Sequence, residues 1–273
     1  MKQKAIKLKD IPYGSHERQV FDLFLPEDYN KHGLVLFIHG GSWKGLSKET
    51  FAEQMDIAFG DGYACASINY RYISDTCHMD ALMEDVDAAV RCICDTAAEY
   101  GIVLSGMLMS GASAGAHLCL LYAYTHVNSA AIKPLCVFSF CGPTDLTDRE
   151  YLRENPYNHA SDMAATLSDA CGVPFTVETM HLADAKLAAY SPVSYVTPEC
   201  PMTVLVHGQT DMIVPYSNAV KLRDELMKKH VEQVFINMPC ENHNLGNKGA
   251  RYECEILFRA LAKRFLENDG KQK

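Results

Sequence analysis

The chain has 273 residues, 48% of them hydrophobic and 22% charged, with a formal net charge of −9. That length suits one large domain with a well-buried core, and the acidic balance argues against nucleic-acid partners and against docking on anionic lipid. The basic amino terminus has no apolar stretch behind it, and no run reaches membrane-span length, so the expected setting is cytoplasmic with no membrane partner.

In chain order, residues 19–25 alternate and end at Pro26. They read as an early antiparallel edge strand, paired with a segment near residues 5–8. Residues 34–38 (Leu-Val-Leu-Phe-Ile) are continuously apolar, as a central strand buried on both faces would be. A helix is predicted over 48–60, with Phe51, Met55 and Phe59 on one stripe, then a strand over 63–69 and a long amphipathic helix over 78–100. An apolar strand at 107–109 leads through Gly111-Ala112-Ser113-Ala114-Gly115 into a helix over 114–125, and a further strand spans 135–141. Residues 146–190 are polar and Pro-punctuated with short helical patches. Within a single domain spanning 1–273, this stretch reads as a cap or lid inserted into the sheet order, where specificity resides. The core resumes with strands at 202–206 and 234–238 and helices at 217–229 and 251–266. Strands alternating with helices imply an α/β fold, a mostly parallel sheet with helices on both faces.

The Gly-x-Ser-x-Gly stretch carries chemistry because of where it falls. A tight turn between strand and helix throws the Ser113 side chain clear of the backbone, and glycines flank it where strand and helix cross. A serine hydroxyl needs a base, and the base needs an acceptor to fix its tautomer. On a doubly wound sheet these groups belong on loops at the carboxyl edge. Asp211, after the strand at 202–206, and His243, after the strand at 234–238, meet that requirement in the order Ser, Asp, His. His39-Gly40-Gly41-Ser42 follows the central strand, so the amides of Gly41, Ser42 and Ala114 are the candidate oxyanion donors. Ser110 reads as buried. Asp145 is the rival acid and reads better as shaping the pocket or capping a turn, while His207, His39 and His117 read as packed or bracing residues. Trp43 could floor an acyl or sugar site or pack the loop. Gly40, Trp43 and Pro143 are the candidate substrate-contacting residues.

Eleven cysteines, an odd number, are scattered mostly through apolar segments. They read as free thiols in a reducing compartment. Neither Cys92 with Cys94 nor Cys240 with His243 makes a zinc pattern, so no metal site is expected.

Taken together, these motifs resemble the α/β-hydrolase superfamily, in particular the hormone-sensitive-lipase-like carboxylesterases with a His-Gly-Gly oxyanion motif. His39-Gly40-Gly41-Ser42-Trp43-x-x-Gly resembles most the branch holding acetyl-xylan and feruloyl esterase-like enzymes and arylformamidases. Ser191-Pro192-Val193 and His207-Gly208-x-x-Asp211-x-x-Val214-Pro215 fit it too, and the resemblance runs from about residue 20 to 265. Ser42 stands where many relatives carry a third glycine, and Glu241-Asn242-His243-Asn244 is bulkier than the usual surroundings of the base. The resemblance implies an α/β-hydrolase fold, a Ser113–His243–Asp211 triad and no cofactor. The implied reaction is hydrolysis of a small-molecule ester with a short acyl group, such as acetyl or feruloyl esters of carbohydrates. Formamide hydrolysis is the alternative, and a catalytically silent binding protein on the same fold is a third. Monomer and dimer are both left open.

Overall fold

The computed structural model describes residues 4–27, 29 and 33–267. Eight strands form one sheet: β1 (Ile6–Pro12), β2 (Val20–Leu25), β3 (Gly33–Ile38), β4 (Ala64–Ile68), β5 (Gly106–Ala112), β6 (Lys133–Phe140), β7 (Met202–Gly208) and β8 (Gln233–Met238). Their spatial order is β1-β2-β4-β3-β5-β6-β7-β8. β1 and β2 pair antiparallel and β2 joins β4 antiparallel, while every later pairing is parallel. Residues 19–25 therefore form an inner strand, and the edge belongs to β1. The reason lies in the side chains: Phe21 to Leu25 are all buried, whereas β1 alternates with Lys and Asp facing solvent. Charged, half-wet strands are the ones a sheet can leave unpaired.

Helices fill the crossovers: α1 (Ala52–Gly60), α2 (Met79–Glu99), α3 (Ala114–Thr125), α4 (Ala160–Cys171), α5 (Asp184–Ala189), α6 (Tyr216–Lys228) and α7 (Lys248–Leu266). β3 shows how they divide between the faces. Leu34, Leu36 and Ile38 join the core packed under α2 to α6, while Val35 and Phe37 join the smaller core under α1 and α7. A strand buried on both sides has to be apolar at every position, which is the run seen in the sequence.

The stretch 146–190 is better ordered than short patches. It builds the twelve-residue α4, whose Ala164, Leu167 and Ala170 are buried, and Gly172 in the left-handed region (φ 69°) ends that helix. Among the described residues no helix is long and apolar enough to cross a membrane.

Candidate active site

Ser113 is the hinge between β5 and α3, with φ 53° and ψ −123°. This sparsely populated conformation costs about 1–3 kcal/mol and persists only where the surroundings impose it. The glycines on either side explain how it is imposed. A Cβ on Gly115 would lie 2.0 Å from the Ile38 carbonyl oxygen, and one on Gly111 would lie 2.5 Å from the Gly115 carbonyl carbon. The helix thus starts hard against β3 and β5. Ser113 N–H is fixed to the Phe140 carbonyl at 2.8 Å. Ser110, three residues earlier, is buried within β5.

The loop after β3 packs directly on this elbow, since a Cβ on Gly40 would sit 2.7 Å from the Ala112 oxygen. Gly41, Ser42 and Trp43 all have positive φ (97°, 52° and 58°). That run turns backbone amides into the cleft at the cost of strain in two non-glycine residues. Among the described residues the Ser42 and Ala114 amides have no protein acceptor, and Ala114 opens α3, where an N–H has no carbonyl a turn behind it.

Buried contacts hold the strained loop. His39 is stacked on Tyr70 at 4.3 Å between ring centroids, and the Tyr70 hydroxyl donates to the His39 and Gly40 carbonyls at 2.9 and 3.1 Å. The Trp43 indole N–H donates to Nδ1 of His117 at 3.2 Å, and Nε2–H of His117 donates to the Tyr190 carbonyl at 2.7 Å. Acceptance of the Trp43 proton at Nδ1 requires a neutral His117. Burial is the main influence that pushes His117 down to about 4. Burial, aided by the Arg18 guanidinium, does the same to His39.

Asp211 and His243 come from adjacent loops clamped together. A Cβ on Gly208 would strike the Glu241 oxygen at 2.3 Å, and Thr210 donates to that oxygen from both its amide (3.0 Å) and its hydroxyl (2.8 Å). Nδ1–H of His243 donates to Oδ2 of Asp211 at 2.7 Å. That leaves Nε2 as the proton acceptor. The other oxygen, Oδ1, accepts the Ile213 and Val214 amides at 2.9 Å each. Burial would raise the Asp211 carboxyl, but hydrogen bonds from His207 and His243 outweigh it and hold the group below the usual carboxylate range.

Ser113 and His243 line one cavity of about 790 Å³, together with Gly40, Gly41 and Ser42. The Ser113 hydroxyl makes no capping bond to α3, and among the described residues it has no hydrogen bond to the imidazole. Contacts of this kind often tighten only around bound substrate.

The other candidates fall elsewhere. Asp145 accepts its own Thr147 amide (3.0 Å) and hydroxyl (2.6 Å) and an ammonium from Lys221 (2.9 Å), a turn cap rather than a partner of His243. Trp43 is buried against His117 and is not a wall of the cavity, because its positive φ turns the ring inward. Pro143 is likewise buried and off the cavity, in a loop whose next two amides are both held by the Asn218 side chain at 2.8 Å. None of the described residues of 146–190 lines the cavity. The walls that sequence patterns did not single out are those of α1 and α7, Ile57 and Phe258 among them.

Cys141, His207 and Asp211 bring three potential metal-ligating atoms within 4.8 Å of one another. The donor chemistry does not suit an ion. Burial and the Asp211 charge push the Cys141 thiol well up, so it stays protonated. Nε2–H of His207 points at the Val214 carbonyl (3.0 Å) and at Asp211 Oδ2 (3.3 Å). The trio is a hydrogen-bonded support for the carboxylate.

Known proteins agree with this architecture. Esterase LipQ of Mycobacterium tuberculosis is 28% identical over 227 residues, covering 77% of this chain and 50% of its own length. Kynurenine formamidase of Danio rerio is 25% identical over 187 residues, 62% of each chain. The chain thus spans about half to three fifths of the length of these curated relatives. A truncated carbohydrate esterase from gut microbiota superposes with a TM-score of 0.76 at 21% identity, over 96% of this chain and 98% of that one, so the two share a fold. This is the α/β-hydrolase fold. The family model described as BD-FAE matches residues 21–226, from β2 to within α6, and the chain belongs to that family.

Proposed function

We propose that this chain is a serine carboxylesterase acting on acyl esters of small molecules. Ser113 Oγ attacks the ester carbonyl carbon while His243 Nε2 takes the hydroxyl proton. The carbonyl oxygen becomes an oxyanion held by the Ala114 amide and by those of Gly41 and Ser42. The carbon–oxygen bond to the alcohol then breaks, and His243 returns the proton to the departing alkoxide. Water, deprotonated by the same imidazole, attacks the acyl-serine and frees the acid. Asp211 keeps Nδ1 protonated and stabilises the imidazolium. No step needs a metal or organic cofactor.

The observation that carries this reading is the 2.7 Å Asp211–His243 hydrogen bond on loops that share a cavity with the strained Ser113 turn and the amides beside it. Similarity to proteins called esterase supports the ester; similarity to one called carbohydrate esterase makes acetyl or feruloyl esters of sugars the first substrates to try. A cytoplasmic setting is supported by the eleven free cysteines.

Ser113→Ala assayed with 4-nitrophenyl acetate tests it: kcat/KM is expected to fall about a thousandfold or more, and undiminished turnover would remove Ser113 from the mechanism. A second reading, hydrolysis of an aryl formamide by the same groups, is favoured by the formamidase similarity. Parallel rates on the acetate ester and on N-formylkynurenine separate the two. Labelling by a fluorophosphonate excludes a silent binding protein.

A further inference from the structure

The cavity at Ser113 does not stop where an acetyl group would. It continues between the stretch Thr50–Asp61, which contains α1, and α7 from Arg251 to Ala262. Both helices start at the sheet edge that carries Ser113 and run towards the opposite edge. At about 1.5 Å per residue each lined stretch is about 16 Å long, the length of an extended chain of roughly a dozen carbons.

The floor is aromatic. Phe37 of β3 stacks on Phe51 with centroids 5.2 Å apart and faces Phe258 of α7 at 6.2 Å. Ile57, Met238 and Leu245 add aliphatic wall.

The cations along the groove are already engaged. Arg251 at the near end donates to the Leu245 and Asn244 carbonyls at 2.5 and 2.7 Å. Arg259 at the far end bridges the two helices, pairing with Asp61 at 2.8 Å and with Glu255 at 3.1 Å. Among the described residues that line the cavity, Glu53, Asp61 and Glu255 outnumber Arg251 and Arg259, a balance that disfavours an anionic occupant. A neutral apolar chain fits.

We propose that this groove is the acyl site, resting on the serine-esterase reading, and that kcat/KM rises with the length of an unbranched acyl chain to about eight carbons. The chain lies over Phe37 with its end towards the Asp61–Arg259 bridge. The acyl part takes this place because it stays bonded to Ser113 Oγ until water attacks, so a groove spanned at its far end by the Asp61–Arg259 bridge does not delay it. The alcohol must leave after the first step and exits past His243 to solvent.

The test is a 4-nitrophenyl ester series from acetate to dodecanoate, with a matching series of acetates whose alcohol part lengthens, on wild type, Ile57→Trp and Arg259→Ala. Octanoate is expected to exceed acetate in wild type. Ile57→Trp narrows the groove midway, so the octanoate-to-acetate ratio falls about tenfold or more, since a few methylenes in an apolar pocket carry discrimination of that order. Arg259→Ala opens the far end and raises the dodecanoate-to-octanoate ratio. The ratios are internal to each protein, so a poorly folded variant cannot mimic them. The proposal is overturned if acetate is the best acyl group and neither variant moves the ratios, if a cinnamoyl ester outruns octanoate, or if length dependence appears only in the alcohol series. Each of these outcomes leaves ester hydrolysis standing. Loss of all ester turnover, with Ser113→Ala equal to wild type, would instead defeat the reading beneath it.

Discussion

The two faces of the sheet are built to different standards. On one, α3 packs between the sheet, α2 and the turn Pro192–Tyr195, and every residue from Ala114 to Tyr124 is buried. The strained Ser113 turn and the loop after β3 are anchored into this filled side through His117, Tyr70 and Trp43. On the other face α1 and α7 stand apart over an aromatic floor and leave a groove. The filled side fixes the Ser113 turn, at the cost of packing freedom. In the proposed reaction the open side decides what can reach it. Precise positioning needs a surrounding that over-determines it, and substrate entry needs a surface that does not.

The largest expected effect lies on the seam between the faces. Asp211→Asn keeps the size of the side chain but replaces an acceptor by an amide, which lets His243 take the wrong tautomer. A fall in kcat of about ten thousandfold is expected with 4-nitrophenyl acetate, alongside an unchanged fold by circular dichroism. A loss below about tenfold would mean that another group orients the imidazole.

On the filled face, Leu167→Ala is next. Leu167 is fully buried in α4 among core residues of the sheet, so truncation leaves a cavity. Urea unfolding should show a loss of about 2–5 kcal/mol. A loss below about 1 kcal/mol would make 146–190 a loosely attached flap instead of part of the packed side.

The same face predicts a pH effect. His39 and His117 are neutral when folded, with pKa values lowered from 6.5 to about 4, and both protonate once unfolded. Between those values the unfolded chain binds more protons, so stability is complete above about 6.5 and declines as pH falls towards 4. Lowering pH from 7 to 5 should cost about 2 kcal/mol per histidine, read from urea midpoints. Asp211, held below its ordinary value, retains its contribution across this window and begins to lose it only as pH falls below the ordinary carboxylate range. His117→Gln, which keeps a donor and an acceptor, should flatten the slope.

Legibility in the sequence followed the same division. Gly111, Ser113 and Gly115 stand out because each position tolerates few residues for a local reason, a close backbone approach or a sharp turn. Asp211 and His243 could be paired because strands alternate with helices and the loops after parallel strands share one edge. Trp43 could not be placed, since its direction depends on a positive φ and on a histidine 74 positions away. The edge strand was misassigned because alternation is similar in β1 and β2, and only burial separates them. The groove was invisible for a deeper reason. Ile57, Leu245 and Phe258 are ordinary apolar residues, and periodicity tells which side of a helix is apolar but not whether anything covers it.

The smallest expected effect is therefore the most informative about the open face. Ile57 is only partly buried and faces the groove. Truncation to alanine removes little packing that folding had secured, because the groove already exposes that surface. Ile57→Ala should change unfolding free energy by no more than about 1 kcal/mol, against the several expected for Leu167→Ala. The same substitution widens the middle of the groove, so preference among acyl lengths should broaden while Tm hardly moves. If Ile57→Ala instead destabilised the protein as much as Leu167→Ala does, the space between α1 and α7 would be closed in solution. The contrast between a positioning face and an admitting face would then disappear.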